Sequence, residues 1–131
     1  MWPARGLMRP VQLFAYGTLL QPAVQLRVFG RTLEMRPAVL RGWRIVPRAV
    51  GGRYPAIVPA ANAVTPGALL RLGAGHLGRA DAYEEVPRLY RRKRVTVASA
   101  EGPNRCWVYV SDEPKTRGVA PVRRATSNAG P

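Results

Sequence analysis

The chain has 131 residues, 47% of them hydrophobic, which suits one domain with its own core and excludes wholesale disorder. Lysine and arginine number 21 against seven acids, for a net charge of +14. No apolar stretch approaches the roughly 18 residues of a membrane span, and we expect no signal peptide and no membrane partner. The single cysteine, Cys106, excludes an internal disulfide, and the sequence predicts a cytoplasmic protein with a buried, inert thiol.

The positive charge raises the question of nucleic-acid binding, because cationic chains neutralise phosphates. Nineteen of the 21 basic residues are arginines, and they are scattered along the chain, with one run at Arg91, Arg92, Lys93 and Arg94. This scatter favours a compositional bias over a designed surface, so no nucleic-acid partner is predicted. A basic RNA- or DNA-binding module stays as an alternative, and its affinity would depend on that run and fall steeply with salt.

In the first half of the chain, short apolar runs end at glycine or proline, as strands and short helices do. Val11–Tyr16 reads as a strand that stops at Gly17. A helix follows from Gln21-Pro22 and ends at Gly30, since proline suits a first helical turn and glycine a helix end. Ala38–Val46 is the second predicted strand.

The second half continues this pattern. Tyr54–Pro59 is predicted to be an extended edge segment bracketed by prolines, and Val64–Leu72 the next strand. His76–Glu85 is the second helix candidate. Arg91–Ser99 and Arg105–Ser111 pair as a hairpin across residues 101–104.

About six strands and two short helices, with glycines inside the strands, predict an α+β domain whose mixed sheet curls into a small barrel. Residues 11–111 form this domain. Residues 1–10 are predicted to be a flexible extension, and residues 112–131 a flexible polar tail without an apolar period.

The segment Tyr-Gly-Thr-Leu follows the first predicted strand. Gly17 permits a sharp turn and a close approach of a ligand, and the amides of Gly17, Thr18 and Leu19 then precede a helix start. Consecutive free N–H groups in such a place bind a carboxylate or phosphate. An ordinary β-turn without a ligand is the alternative.

Three of the seven acids, Asp81, Glu84 and Glu85, lie in the second helix candidate. Helical spacing places Glu84 on the stripe of Leu77 and Ala80, toward the core, and turns Glu85 away. A half-buried Glu84 carboxyl would have a raised pKa and suit general acid–base catalysis.

The alternative is a solvated helix face or an ion pair. A unit charge about 10 Å away through water changes a pKa by only ~0.3, whereas burial changes it by ~3–5. Burial should therefore dominate the pKa of Glu84 unless Arg79, Arg88 or Arg92 pairs with it directly.

The ordered motifs YGTL, RGW, YPAIVP, PGALLRL, ADAYEE, LYRRKRVTV and CWVYV resemble the gamma-glutamylcyclotransferase-like family, over roughly Leu13 to Val110. The resemblance implies a small mixed α+β barrel. It also implies an enzyme that closes a γ-glutamyl amine or amino acid into 5-oxoproline and releases the free amine. The nucleophile in that reaction is the substrate's own α-amine, so neither a metal nor a cofactor is implied.

The resemblance also implies roles for individual residues. Glu84 matches the family's general acid/base, and the amides of Gly17, Thr18 and Leu19 hold the γ-glutamyl end of the substrate. The cavity is shaped by Tyr16, lined by Tyr54 and Pro55, and walled and supported by Tyr90 and Arg92.

Two positions depart from the family pattern. Ala80 replaces the leucine before the aspartate, which leaves a smaller side chain under the helix. Glu85 replaces a frequent glycine, and it is the second candidate for the proton-carrying role.

Two further questions stay open in the sequence. A catalytically inactive member of the same fold, which binds a small ligand or a protein, is the alternative to the enzyme. The leaving amine is not specified either: an amino acid, a peptide such as glutathione, a polyamine and a secondary-metabolite amine are all compatible. The sequence makes no prediction of oligomeric state.

Overall fold

The computed structural model describes residues 11–112, so the predictions for residues 1–10 and 113–131 fall outside the described residues. Five strands, two α-helices and one 3-10 turn make up this part of the chain. In chain order they are β1 (Val11–Ala15), the 3-10 turn (Thr18–Leu20), α1 (Pro22–Phe29), β2 (Met35–Val50), β3 (Tyr54–Leu72), α2 (His76–Tyr83), β4 (Arg91–Ser99) and β5 (Gly102–Val110).

The strands close into a barrel in the order β1-β3-β2-β4-β5, antiparallel throughout except for the parallel pair of β1 and β5. This confirms the predicted α+β barrel. Side chains alternate along each strand, which divides the core in two. Phe14, Leu69 and Val108 belong to one buried cluster, inside the barrel, while Leu13, Leu70 and the helix residues belong to another, between barrel and helices.

The two strands predicted at Tyr54–Pro59 and Val64–Leu72 are one continuous strand, β3, so the barrel has five strands and not six. Residues 60–63 between them, three alanines and one asparagine, continue the strand. The pairing of β2 with β3 is irregular at this point. Its register shifts between Arg41 and Trp43 of β2, and Asn62 of β3 has a positive φ of 70°. The Tyr54–Pro59 part pairs with β2 alone, as an edge segment does.

The last hairpin has a tighter turn than the predicted one at residues 101–104. Ser99 pairs with Gly102, so β5 begins three residues earlier than predicted. The Ser99 hydroxyl donates to the carbonyl of Gly102 at 2.9 Å, and the Asn104 amide donates to that hydroxyl at 3.0 Å. These local bonds stabilise a two-residue loop, and Gly102 adopts the φ of 107° that the turn requires and that glycine allows.

Cys106 is 2% exposed on β5, inside the barrel. Burial raises the pKa of its thiol to about 12, so the thiolate that nucleophilic chemistry needs is not formed near neutral pH. Neither helix found between residues 11 and 112 has the length and hydropathy of a transmembrane segment.

Candidate active site

A cavity of about 250 Å³ opens where the end of β1, the start of β3 and the end of α2 meet. Its wall combines aromatic rings, backbone of the β1–α1 loop and two carboxylates. The lining residues are Leu13, Phe14, Ala15, Tyr16, Gly17, Thr18, Leu19, Tyr54, Pro55, Tyr83, Glu84, Glu85, Leu89, Tyr90 and Tyr109.

The loop after β1 supplies free backbone donors to this wall. The N–H groups of Leu20 and Gln21 bond to the carbonyls of Gly17 and Thr18, at 3.0 and 2.9 Å, which closes the 3-10 turn. The preceding amides of Gly17, Thr18 and Leu19 have no acceptor among residues 11–112, because the first N–H groups of any helical turn lack one. Three consecutive donors therefore border the cavity.

Gly17 lies next to Pro55 in the cavity wall. It has φ −129° and ψ −141°, and a methyl group added there would lie 3.5 Å from the Pro55 side chain, which is ordinary van der Waals contact. The loop and the start of β3 therefore lie close together beside the free amides.

Glu84 is the residue that ends α2. Its N–H donates to the carbonyl of Ala80 at 2.9 Å, and the chain reverses at Glu85, whose φ is 56°. This places the Glu84 side chain in the cavity wall opposite the β1 loop. Glu85 also contributes to that wall, at the solvent-facing side, with 48% of its side chain exposed.

Ion pairing separates Glu84 from the other acids. Six acidic residues lie within residues 11–112, and five of them pair with arginine: Glu34, Asp81, Glu85, Glu101 and Asp112. Glu84 forms neither an ion pair nor a side-chain hydrogen bond with any described residue. In a chain so rich in arginine, an unpaired and largely buried carboxylate is a specific feature of the fold.

The three arginines that could have paired with Glu84 are occupied elsewhere. Arg79 donates to the carbonyl of Phe29 at 3.3 Å, Arg88 pairs with Glu85, and the Nε of Arg92 lies 3.0 Å from Asp81. Burial therefore determines the titration of Glu84 and raises its pKa from 4.5 to about 7.

A polar network supports α2 behind Glu84. The Tyr109 hydroxyl donates to Asp81 at 2.7 Å, and Arg92, which pairs with the same Asp81 oxygen, lies over the ring of Trp107 at 4.7 Å. The Tyr16 hydroxyl donates to the carbonyl of Tyr109 at 2.7 Å, which ties the β1 end to β5. This network fixes the helix that carries Glu84 against the barrel.

We expect Asp81→Ala to lower the free energy of unfolding by roughly 1–3 kcal/mol, because it leaves the buried Tyr109 hydroxyl and the Arg92 guanidinium without their common acceptor. Turnover should fall as well, since α2 then holds Glu84 less firmly. Urea denaturation measures the first effect, and Arg88→Ala, which breaks an exposed pair nearby, is the control expected to change stability by less than about 1 kcal/mol. Equal stability of the two variants would contradict a supporting role for Asp81.

The structure brings every residue predicted for the site to the one cavity, apart from Arg92. The eight that line it are Tyr16, Gly17, Thr18, Leu19, Tyr54, Pro55, Glu84 and Tyr90; their functional roles stay predictions. The Tyr90 hydroxyl donates to the Pro55 carbonyl at 2.6 Å and so holds two of the predicted wall segments together. Arg92 supports Asp81 behind the wall.

Sequence reasoning missed two tyrosines and the supporting aspartate. Tyr109 alternates with buried Val108 and Val110 on β5, and this alternation was the available signal that its ring faces α2. Tyr83 lies beside Glu84, and its hydroxyl shares a 2.6 Å hydrogen bond with the Thr18 hydroxyl across the cavity mouth. No group of three or more metal-ligating side chains occurs within residues 11–112.

Comparison with known proteins agrees with this geometry. The family model described as gamma-glutamyl cyclotransferase, AIG2-like, matches residues 13–126. The chain therefore belongs to the gamma-glutamyl cyclotransferase, AIG2-like family, which confirms the resemblance seen in its motifs.

Solved structures share the fold. A protein of Arabidopsis thaliana, known from its solution structure, is 25% identical, with a TM-score of 0.71 over 80% of this chain and 70% of its own. A structure named gamma-glutamyl cyclotransferase is 18% identical, with a TM-score of 0.69 over 93% of this chain and 81% of its own. An AIG2-like protein from Mus musculus is 20% identical, with a TM-score of 0.66 over 78% and 77%. No curated protein matches this chain.

Proposed function

We propose that the protein is a γ-glutamyl cyclotransferase, which converts a γ-glutamyl amine or γ-glutamyl amino acid to 5-oxoproline and releases the free amine. The observation that carries this proposal is the position of Glu84, whose pKa burial raises to about 7, in the same cavity as the amides of Gly17, Thr18 and Leu19. Within residues 11–112 neither the Glu84 carboxylate nor these amides have a partner. Membership of the family supports the same chemistry.

The donors suit the γ-glutamyl group. Its α-carboxylate can accept hydrogen bonds from the loop amides, which bend the flexible chain so that the α-amine approaches the γ-carbonyl carbon. Because both reacting atoms belong to one molecule, holding them in that geometry removes much of the entropic barrier, by several kcal/mol in favourable cases.

The proton steps suit Glu84. Its carboxylate takes a proton from the α-ammonium, and the amine nitrogen then bonds to the γ-carbonyl carbon and gives a tetrahedral intermediate. Glu84, now protonated, gives this proton to the leaving nitrogen, and its carboxylate takes the second proton from the ring nitrogen. The carbonyl re-forms as the bond between the leaving nitrogen and the γ-carbon breaks. The second proton passes from Glu84 to the departing amine, so a neutral lactam and an ammonium product result, with the carboxylate restored. A pKa near 7 lets one group act as base and then as acid near neutral pH.

The experiment that tests the proposal follows 5-oxoproline by liquid chromatography during incubation of the protein with γ-glutamyl-alanine, γ-glutamyl-ethylamine and γ-glutamyl-lysine. We expect 5-oxoproline and free amine to form in equal amounts with at least one of them. If none of the three yields 5-oxoproline above the buffer blank while one of them binds, the fold serves as a ligand-binding module.

The pH dependence of kcat/KM provides a separate prediction. The substrate's proton can move to Glu84 only when Glu84 is ionised, so kcat/KM should rise with pH and level off with an apparent pKa near 7. If Glu84 had an ordinary glutamate pKa, kcat/KM would instead rise with an apparent pKa of about 4.3. Initial rates between about pH 5 and pH 9 measure it, and a profile that is flat from pH 5 to pH 7 would contradict a role for the buried carboxylate.

A further inference from the structure

Tyr16 lines the cavity, and its hydroxyl oxygen has a defined polarity. Its hydroxyl has one proton, which it donates to the carbonyl of Tyr109 at 2.7 Å. Its ring lines the cavity and packs against the buried cluster inside the barrel. A phenol whose proton is already committed can only accept a hydrogen bond from a ligand.

The phenol also keeps that proton. Burial first, then the proximity of Tyr90 and of the Glu84 charge, raises the pKa of Tyr16 well above its ordinary value. The oxygen is therefore a neutral acceptor across the working pH range. Tyr16 and Glu84 line the same cavity.

The cavity is consequently divided by polarity. The amides of Gly17, Thr18 and Leu19 offer donors alone, while Tyr16 and ionised Glu84 offer acceptors alone. An amino-acid head group carries one acceptor-only group, its carboxylate, and one donor-only group, its ammonium. Such a head group satisfies both sets of groups when its carboxylate accepts from the amides and its ammonium donates to Tyr16 and Glu84.

We propose that the Tyr16 hydroxyl oxygen accepts a hydrogen bond from the α-ammonium of the bound γ-glutamyl group and so fixes the nucleophilic nitrogen beside Glu84. This inference rests on the proposed function and adds a binding role to a residue that sequence reasoning treated as a pocket wall. If this contact forms, a free, protonated α-amine is needed for tight binding as well as for the reaction. N-acylated and desamino derivatives would lose the contact.

The test measures binding without turnover and pairs a change in the protein with a change in the ligand. Glu84→Gln protein, with and without Tyr16→Phe, is titrated calorimetrically with γ-glutamyl-ethylamine and with N-ethylglutaramic acid, the same molecule without its α-amine. We expect Tyr16→Phe to weaken the binding of the amine-bearing ligand about 10- to 100-fold, as for the loss of a hydrogen bond to a charged group. The affinity for the desamino ligand should change by less than about twofold.

Thr65→Val in the same background is the matched control, because it removes a buried hydroxyl that donates to a backbone carbonyl, that of Trp43 at 2.7 Å, and does not line the cavity. It should weaken neither ligand by more than about twofold. Thermal unfolding checks that the loss of the bond to the Tyr109 carbonyl leaves the protein folded at the titration temperature.

The outcomes separate this inference from the proposed function. If Tyr16→Phe weakens both ligands equally, or neither, the ammonium contact is wrong, even where the wild-type protein releases 5-oxoproline. If the amine-bearing ligand alone is weakened, the contact holds, even where the wild type releases none. If neither ligand binds with Tyr16 present, both proposals are overturned.

Discussion

Glu84→Gln should lower the rate of 5-oxoproline release about 10²- to 10⁴-fold, the typical contribution of a positioned general acid–base group. The amide keeps the size and polarity of the side chain but cannot take a proton from the α-ammonium. KM should change little, because the loop amides that are proposed to hold the substrate are untouched. Steady-state kinetics with the best of the γ-glutamyl substrates provides the measurement.

The same substitution should stabilise the protein, which separates loss of chemistry from loss of fold. Burial raises the pKa of Glu84 from 4.5 to about 7, so the native state binds more protons than the unfolded state between these pH values, and stability falls as pH rises through that window. At about pH 8 the ionised side chain costs roughly 1–3 kcal/mol, at most the equivalent of the whole shift. Glutamine carries no such cost, so the free energy of unfolding should rise.

Glu85→Gln is the matched control, since Glu85 also lines the cavity but pairs with Arg88. Its ion pair is exposed, so we expect a change in rate of less than about fivefold and in stability of less than about 1 kcal/mol. If Glu85→Gln abolishes turnover and Glu84→Gln does not, the proton carrier is Glu85 and the role of the unpaired carboxylate is wrong.

Gly67→Ala should be among the most destabilising single-methyl changes in the barrel. Gly67 lies on β3 where β1 crosses it, and a Cβ there would be 2.3 Å from the carbonyl oxygen of Ala15 and 2.8 Å from the ring of Phe14. The nearer contact is with the backbone of β1, which no side-chain rotation can relieve, and Phe14 is 1% exposed inside the barrel. We expect a loss on the order of 3 kcal/mol, at the upper end of overpacking costs, measured by urea denaturation.

Gly78→Ala gives the opposite expectation. Gly78 lies in α2, and a Cβ there meets nothing within 4 Å, so alanine should stabilise the protein by roughly 0.5–1 kcal/mol through helix propensity. If both substitutions change the free energy of unfolding in the same direction, the close approach of β1 to Gly67 does not constrain the native barrel. Because β1 leads directly into the Gly17 loop, Gly67→Ala should also lower activity.

The barrel itself could be predicted from local patterns, because alternation and glycine positions report on each strand separately. What those patterns did not contain was continuity across Asn62: the prolines that bracket residues 54–59 suggested a break, whereas β3 continues and its pairing with β2 shifts register. The turn of the last hairpin was misplaced for a related reason. The pairing of Ser99 with Gly102 depends on the register of the whole β4–β5 ladder and not on the glycine-proline signal alone.

The site was predictable where helical geometry and motif order determine it. The helical stripe of Leu77, Ala80 and Glu84 predicted which acid faces the core, and the Gly17 loop predicted the free amides. The choice of ion-pair partners was not predictable, because 19 arginines offer many pairings of similar energy. Only the folded chain shows that Arg92 binds Asp81, that Arg88 binds Glu85, and that Glu84 has no ion pair within residues 11–112.

The most direct measurement follows the backbone amides of the β1 loop in ¹⁵N-labelled Glu84→Gln protein, titrated with γ-glutamyl-ethylamine and observed by heteronuclear NMR. If the free amides and the carboxylate face one γ-glutamyl group, the resonances of Gly17, Thr18 and Leu19 should move downfield together and saturably as hydrogen bonds to the ligand form. Amides on the far side of the barrel, such as that of Thr96, should stay in place. Unchanged resonances at the three loop positions with a saturating ligand would contradict the account.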